Sequence, residues 1–387
     1  MKLSLSGRMD TNTTPQASQN IDQYLRGQEN IDRLTVDASK LTYISSSGLR
    51  LLLSLAKRYR NFRLTEVQSK IYNILETTGF TKIMTVEKAL RRISVEGCEM
   101  IGRGGIGAVY RLDGDTIIKV FREGTTMAEV KHETDMSKEA FFLGLPTAIS
   151  YDVVHVGNRY GLVYELLQAE TLSDCIKREP QHLDEFARKF AQLFRQLHTI
   201  EVTESNSLIP DAIDNERKAV SKLTKYFSDS DVELLLQIID AIPQGNRLLH
   251  LDLQTKNIMK QGDDLMLIDL GEIGYGHPLL DLGHAYSPMV ALIGDYEKIV
   301  GMPKQLSVEV WNRAVRYYFE GETEETIAHR IAQIEAVACV RNFSWMSLSD
   351  SFPEDEVRKC KAIFDERVRN RRDYLLDISK TFNDWPL

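Results

Sequence analysis

Apolar and polar residues alternate over KLSLS (residues 2–6), the period of a half-buried strand. DRLTVD (residues 32–37) is a short apolar-rich segment that reads as a buried strand, and FRLTEV (residues 62–67) reads as another. Between and after them the period becomes helical. LRLLLSLAKR (residues 49–58) spaces its leucines for one buried face. Residues 69–78 form a second such stretch and end at Gly79, a helix-stopping glycine. TNTTPQASQN (residues 11–20) is polar and is expected to be a loop leading to a helix. Strand, helix, strand, helix predicts an α/β unit of about four strands.

Near residues 93–100 a helical pattern gives way to a strand-like one, which places a domain boundary there. In AVYRLDGDTIIKVF (residues 108–121) two β-rich runs flank Asp113-Gly114-Asp115, the signature of a hairpin. Helical patterns dominate after Leu282.

Composition narrows the class. The chain has 387 residues, 43% hydrophobic and 27% charged, which is ordinary globular composition with room for two or three domains. The net charge of −8 argues against a general nucleic-acid binder. No apolar run approaches the roughly 18–20 residues of a membrane span, and the polar start has no signal-peptide core. Cys98, Cys175, Cys339 and Cys360 are scattered with no CxxC, so neither a disulfide framework nor a zinc site is expected. A cytoplasmic protein is the expectation. Residues 1–95 hold 15 Lys+Arg and 8 Asp+Glu, a net of +7, against −15 for the remainder. That asymmetry fits two units of different character, either with independent surfaces or with the basic one docking on the acidic one.

Ser45-Ser46-Ser47-Gly48 precedes the leucine-rich helix. Serine at a helix start accepts bonds from free backbone N–H groups, so capping is the plain reading. A phospho-acceptor is the alternative, because a phosphate at a helix N-terminus is favoured by the same N–H groups. VDASKLTYISSSGLRLLLSLAKR followed by LTEVQSKIYNILETTGF resembles the STAS domain, the anti-sigma-factor antagonist fold, over about residues 1–90. The resemblance implies a partner-binding module and places the family's phosphorylated serine at Ser46, with Ser45 where the family often has Asp.

MIGRGGIGAVYRL (residues 100–112) carries the glycines Gly102, Gly104 and Gly107. Strand, glycine loop, strand is the arrangement in which kinase backbone N–H groups close over ATP phosphates. Lys119 lies in the second strand, inside the apolar run IIKVF, where a buried ammonium needs a partner. Glu129, Glu133 and Glu139 on the following helix are the candidates, with Glu133 favoured by its spacing and Glu139 next.

LLHLDLQTKNIM (residues 248–259) followed by LMLIDLG (residues 265–271) is the strongest signal. His-x-Asp-x-x-x-x-Asn and then a strand ending in Asp is the kinase catalytic loop with its metal carboxylate. Asp252 is placed to take or orient the acceptor's proton, and Asn257 and Asp269 offer hard oxygen ligands for Mg²⁺. His250 is expected to hold the loop by packing and hydrogen bonding. IDLGEIGYGHPLLDLGHAY resembles the aminoglycoside and choline-kinase-like phosphotransferases over about residues 96–345, with Leu251 where that family usually has Gly. The resemblance makes Asp281 a support for the catalytic loop. It places the adenine-bearing hinge at Tyr164-Glu165-Leu166-Leu167, with backbone groups of Glu165 and Leu166 the expected contacts.

The expectation is therefore an α/β STAS-like domain (residues 1–92) and an α+β bilobal protein-kinase-like domain (residues 96–387). The lobes divide into about 96–167 and 168–387. Its partners are ATP, Mg²⁺, a hydroxyl acceptor that is a small molecule or a protein Ser/Thr, and a regulatory protein bound through the first domain. The alternative is a nucleotide-binding pseudokinase acting as a partner-switching regulator. Trp311, Tyr317, Tyr318, Phe319, Phe343, Trp345 and Met346 either line an acceptor pocket or pack the core, and core packing is the favoured reading. RVRNRR (residues 367–372) is read as a solvated helix face rather than a nucleic-acid site.

Overall fold

The computed structural model of the protein describes residues 1–26, 33–348 and 352–385. The chain divides into two compact units, Met1–Ser94 with Val153–Asn158, and Val95–Asp152 with Arg159–Leu387.

The first unit runs β1 (Lys2–Met9), α1 (Thr14–Leu25), β2 (Arg33–Ile44), α2 (Ser46–Arg58), β3 (Asn61–Val67), α3 (Ser69–Thr77), β4 (Thr85–Lys88) and β5 (Arg91–Arg92). β1 to β4 form one parallel sheet in chain order, with the helices as crossovers. The strand expected at residues 32–37 is the first half of β2, and Asp32 lies outside the described residues. The expected loop over residues 11–20 is corrected: the helix already starts at Thr14. Pro15 presets the first turn, Asp10 accepts the Asn12 and Thr13 N–H groups, and Ile21 and Leu25 supply the buried face. Leu34, Val36, Leu41, Leu52, Leu64 and Leu75 are fully buried in this unit's core.

Ser45 caps α2, accepting the Ser47 N–H at 3.2 Å, and Ser46 is exposed on the first turn. Gly48 is dictated by packing, since a Cβ there would lie 2.7 Å from Ile44 Cγ1 and 2.9 Å from the Met9 carbonyl oxygen. The serine run thus starts the helix, and the glycine lets it lie against β1 and β2.

The second unit opens with β6 (Met100–Arg103), β7 (Gly107–Arg111), β8 (Thr116–Phe121) and α4 (Met127–Phe142). β9 (Ser150–Val156) and β10 (Arg159–Glu165) follow. Val153–Asn158 is grouped with the first unit, where Arg91 and Arg92 of β5 run parallel to Val154 and His155. β6, β7, β8 and β10 pair antiparallel in that order, so the glycine hairpin and the Lys119 strand share one sheet. Next come β11 (Glu170–Thr171), α5 (Leu172–Arg178), α6 (Leu183–Thr199), α7 (Ala212–Ser221) and α8 (Asp229–Asp240). Short pairs then carry the chemistry-bearing loops: β12 (Arg247–Leu249), β13 (Ile258–Gln261), β14 (Asp264–Leu267) and β15 (Gly274–Gly276). The chain closes with α9 (Pro278–Met289), α10 (Tyr296–Ile299), α11 (Lys304–Tyr318), α12 (Glu324–Ser344), α13 (Glu354–Arg367) and α14 (Arg372–Ser379). No helix among the described residues is long and apolar enough to cross a membrane.

Gly48→Ala is expected to destabilise the first unit by about 1–3 kcal/mol through overpacking. Hydrogen exchange of the β1 and β2 amides in the full chain reads this directly. Unchanged protection would mean that the helix moves off the sheet at no cost.

Candidate active site

The β6–β7 turn is closed by the Gly104 N–H donating to the Gly107 carbonyl at 2.9 Å. Gly107 is required by the fold, because a Cβ there would lie 2.2 Å from the Val120 carbonyl oxygen. Gly102 has only ordinary contact with Val109, and a Cβ on Gly104 or Gly105 would meet nothing within 4 Å. The tip of the loop therefore leaves its backbone approachable.

Lys119 stands in β8 between β7 and β10. Its Nζ donates to Glu133 Oε1 at 2.8 Å and to Asp269 Oδ1 at 3.1 Å. Of the three candidate glutamates only Glu133 reaches it. Glu129 closes the capping box that starts α4, and Glu139 accepts from Asn206 Nδ2 at 3.4 Å. Burial works against the Lys119 charge, but Asp269 and Glu133 outweigh it and hold the ammonium's pKa above its ordinary value. Tyr164 was expected only in the hinge backbone, yet its hydroxyl donates to the same Glu133 Oε1 at 3.0 Å. Burial, then the Glu133 charge, raises the phenol's pKa, so it stays a donor.

The hinge needs one correction. The Leu166 N–H already donates to the Asp115 carbonyl at 2.7 Å. Backbone groups alternate in direction along an antiparallel strand, so those of Glu165, the last residue of β10, face the other edge.

The segment after β12 is held by a buried carboxylate. Asp281 on α9 has no solvent exposure. Its Oδ2 accepts the His250 N–H at 3.1 Å and its Oδ1 the Leu251 N–H at 2.7 Å. His198 Nε2 donates to Oδ2 at 3.1 Å, and the Tyr318 hydroxyl meets His198 Nδ1 at 2.8 Å. Burial disfavours the Asp281 charge, but the His198 hydrogen bond and charge, with His250 and the Leu251 N–H, hold the carboxyl below its ordinary range. These bonds fix Leu251 at φ 65°, a left-handed backbone that costs a non-glycine residue about 1–2 kcal/mol. Among the described non-glycine residues, only Glu66, Leu251 and Asp269 have positive φ, so two of the three flank the site.

Asp252 follows Leu251. Asn257 Nδ2 donates to its Oδ2 at 2.8 Å and to its carbonyl at 2.9 Å, while Gln254 Nε2 donates to its Oδ1 at 3.3 Å. His250 Nδ1 accepts the Asp252 N–H at 3.3 Å, as a loop-holding histidine should. Burial first, then the Glu272 charge, pushes the Asp252 carboxyl up to about 7, against the pull of Arg341. Arg341 Nη2 donates to Glu272 Oε2 at 2.8 Å.

Asn257 spends its amide N–H groups on Asp252, which leaves its Oδ1 outward as an oxygen donor. Asp269 gives Oδ1 to Lys119 and keeps Oδ2. Among the described residues no three His, Cys, Asp or Glu side chains gather as a metal cluster. Two hard oxygens fit Mg²⁺, which takes its remaining ligands from water and phosphate.

Trp311, Phe319, Phe343 and Met346 lie in the second unit's core. Trp345 Nε1 donates to the Asn342 carbonyl at 2.8 Å, and the Tyr317 hydroxyl to Asp184 at 2.6 Å. The RVRNRR cluster ties the C-terminal helices to the rest of the unit rather than facing solvent freely. Arg367 donates to the Ala291 carbonyl, Arg369 pairs with Asp231 at 2.7 Å, and Arg371 pairs with Glu335 at 3.6 Å. His198, Glu272, Arg341, Glu216 and His284 escape sequence reasoning, and Tyr318, read there as a pocket or core residue, is instead bonded to His198. Their one sequence-level signal is that His284 stands three residues after Asp281 on a helix and so shares its face.

The model of the phosphotransferase enzyme family matches residues 98–297, more than half of the chain, and the model of the Mlab STAS domain matches residues 1–87. No curated protein matches the chain. Among solved structures, a choline/ethanolamine kinase family protein from Mesorhizobium loti is similar at 19% identity. The alignment covers 73% of this chain and 92% of that one, with a TM-score of 0.47. The aminoglycoside phosphotransferase APH(2'')-Ib with bound ADP is similar at 16% identity over 74% of this chain and 94% of that one, with a TM-score of 0.46. The Plasmodium vivax ethanolamine kinase is similar at 14% identity over 95% and 100%, with a TM-score of 0.48.

His277 caps α9, the helix that carries Asp281, by accepting the Leu279 N–H at 3.2 Å. Burial, with the nearby His198 charge, pushes its pKa down to about 4 from 6.5. The unfolded chain thus binds this proton first. The stabilisation is complete above about pH 6.5 and is lost as pH falls toward about 4, at most about 3 kcal/mol in all. His277→Asn keeps a capping acceptor and removes the titration. The unfolding midpoint of that variant is expected to fall less steeply between pH 6.5 and 4 than that of the wild type. Identical slopes would clear His277 of any part in acid lability.

Proposed function

The chain belongs to the phosphotransferase enzyme family, and from that premise we propose that it transfers the terminal phosphoryl group of ATP to a hydroxyl. The observation that carries this reading is the Lys119 ammonium bonded to both Glu133 and Asp269, the latter 150 residues away. Lys119 is the phosphate-pairing cation. The glycine loop of Gly102, Gly104 and Gly107, approachable at its tip, covers the phosphates, and the hinge around Glu165 takes the base. Asp252, oriented by Asn257 and Gln254, accepts the acceptor's hydroxyl proton as its oxygen bonds to the γ-phosphorus. The β–γ bridging bond then breaks and ADP leaves with the electron pair. Mg²⁺ held by Asn257 and Asp269 supplies charge neutralisation of the phosphates.

Residues 1–92 serve as the partner-binding module of this transferase. Ser46 is its switch residue, exposed on the first turn of α2 where backbone N–H groups would receive a phosphate.

Transfer of ³²P from ATP with Mg²⁺ is expected to fall about 10²–10⁴-fold in Asp252→Asn, the range of a lost general base. Label on Ser46 should vanish in both Ser46→Ala and Asp252→Asn. Equal transfer by Asp252→Asn would remove the base assignment. Nucleotide binding without turnover in the wild type would make the chain a regulator and not an enzyme.

A further inference from the structure

Two buried groups behind the catalytic loop face each other as though a proton stood between them. His284 on α9 is 4% exposed and Glu216 on α7 is 5% exposed. His284 Nδ1 lies 3.1 Å from the Leu251 carbonyl oxygen. A carbonyl only accepts, so Nδ1 carries a hydrogen and donates. In a neutral ring Nε2 is then a bare lone pair. That atom lies 3.5 Å from Glu216 Oε2, and neither His284 Nε2 nor Glu216 Oε1 has a hydrogen-bond partner. A lone pair set against a carboxylate in the interior is unfavourable, because buried polar atoms of this kind need a donor.

We infer that Glu216 and His284 hold one shared proton, and that this pair is a positioning device for Asp252, acting through the Leu251 carbonyl. The inference rests on the reading of Asp252 as the base. Leu251 is the left-handed residue whose N–H is fixed by Asp281, and the His284 bond fixes the opposite face of the next peptide. With both held, the direction in which the chain enters Asp252 is set. Burial pushes the His284 imidazole down, so the extra proton is held jointly with Glu216 and not on an isolated imidazolium. The other charges acting on His284 are Arg341 of α12, which disfavours a further proton, and Glu272 of the turn Leu270–Glu272, which favours it. Those two are paired with each other, which leaves Glu216 as the proton's partner.

The test has a spectroscopic arm and a kinetic arm on the full chain. In ¹⁵N-histidine spectra, His284 Nδ1 should be protonated and Nε2 displaced from the bare lone-pair shift. Nε2 should return to that shift in Glu216→Leu. An Nε2 shift that is the same in both proteins, or a bare Nδ1, overturns the inference. In the kinetic arm the probe is Mg²⁺–ATP with water as acceptor. His284→Phe should lower kcat about a hundredfold, with KM for ATP changed less than about twofold, the signature of a misplaced base. His284→Asn can set its amide N–H where Nδ1 stood and should recover kcat to within about tenfold of wild type. Equal kcat in the Phe and Asn variants overturns the positioning role. If His284→Phe does not fold, the Asn variant and the spectra still decide. Wild-type spectra as described with no ATP turnover would sink the base assignment and leave the shared proton standing.

Discussion

A carboxylate with no solvent exposure is the constraint on which the second unit's chemistry depends. Burying the Asp281 charge without partners would cost several kcal/mol, so the fold must bring it donors from several directions. It does so with His198 from α6 and the consecutive N–H groups of His250 and Leu251. Those two amides are available to one carboxylate only because Leu251 adopts a left-handed backbone. The demand of the buried charge and the shape of the catalytic loop are thus one problem with one solution. The loop's backbone is held from the interior side.

The nucleotide side is held by a different kind of contact. Lys119 sits in a sheet, Glu133 on a helix and Asp269 in a loop, and one ammonium joins all three. Tyr164 adds a second donor to Glu133, and His132 contacts the Gly271 carbonyl at 3.2 Å, so α4 is tied to the Asp269 loop at two places. Of the two partners of Lys119, Glu133 is the more buried and Asp269 the more exposed.

The first unit is organised by close packing instead. Its sheet is wholly parallel, its central strands alternate buried and more exposed positions, and α2 reaches the sheet only because Gly48 lacks a side chain. The polar run before Gly48 starts the helix and stays at the surface, which is why one short motif serves both the fold and a surface available for modification.

The sequence by itself determined the local elements and the identity of the polar groups. The glycine hairpin, the lysine in its apolar strand, the His-x-Asp-x-x-x-x-Asn spacing and the α/β start are all written in short stretches, because backbone period and motif spacing are local properties. One local expectation failed at Thr14–Asn20, where Pro15 and Asp10 start a helix within a polar run. Spacing favoured Glu133 among the three glutamates of one helix, and the folded chain fixed the choice by spending Glu129 on the helix cap and Glu139 on Asn206. Tertiary structure alone committed the Leu166 amide to Asp115, and it alone brought Glu216, His284, Arg341 and Glu272 together behind Asp252. Glu216 and Arg341 come from segments far from the Glu272–His284 stretch, and no local pattern encodes a meeting set by how the helices pack. The sequence names the candidate groups, while their surroundings are set by burial, which exists only once the chain is folded.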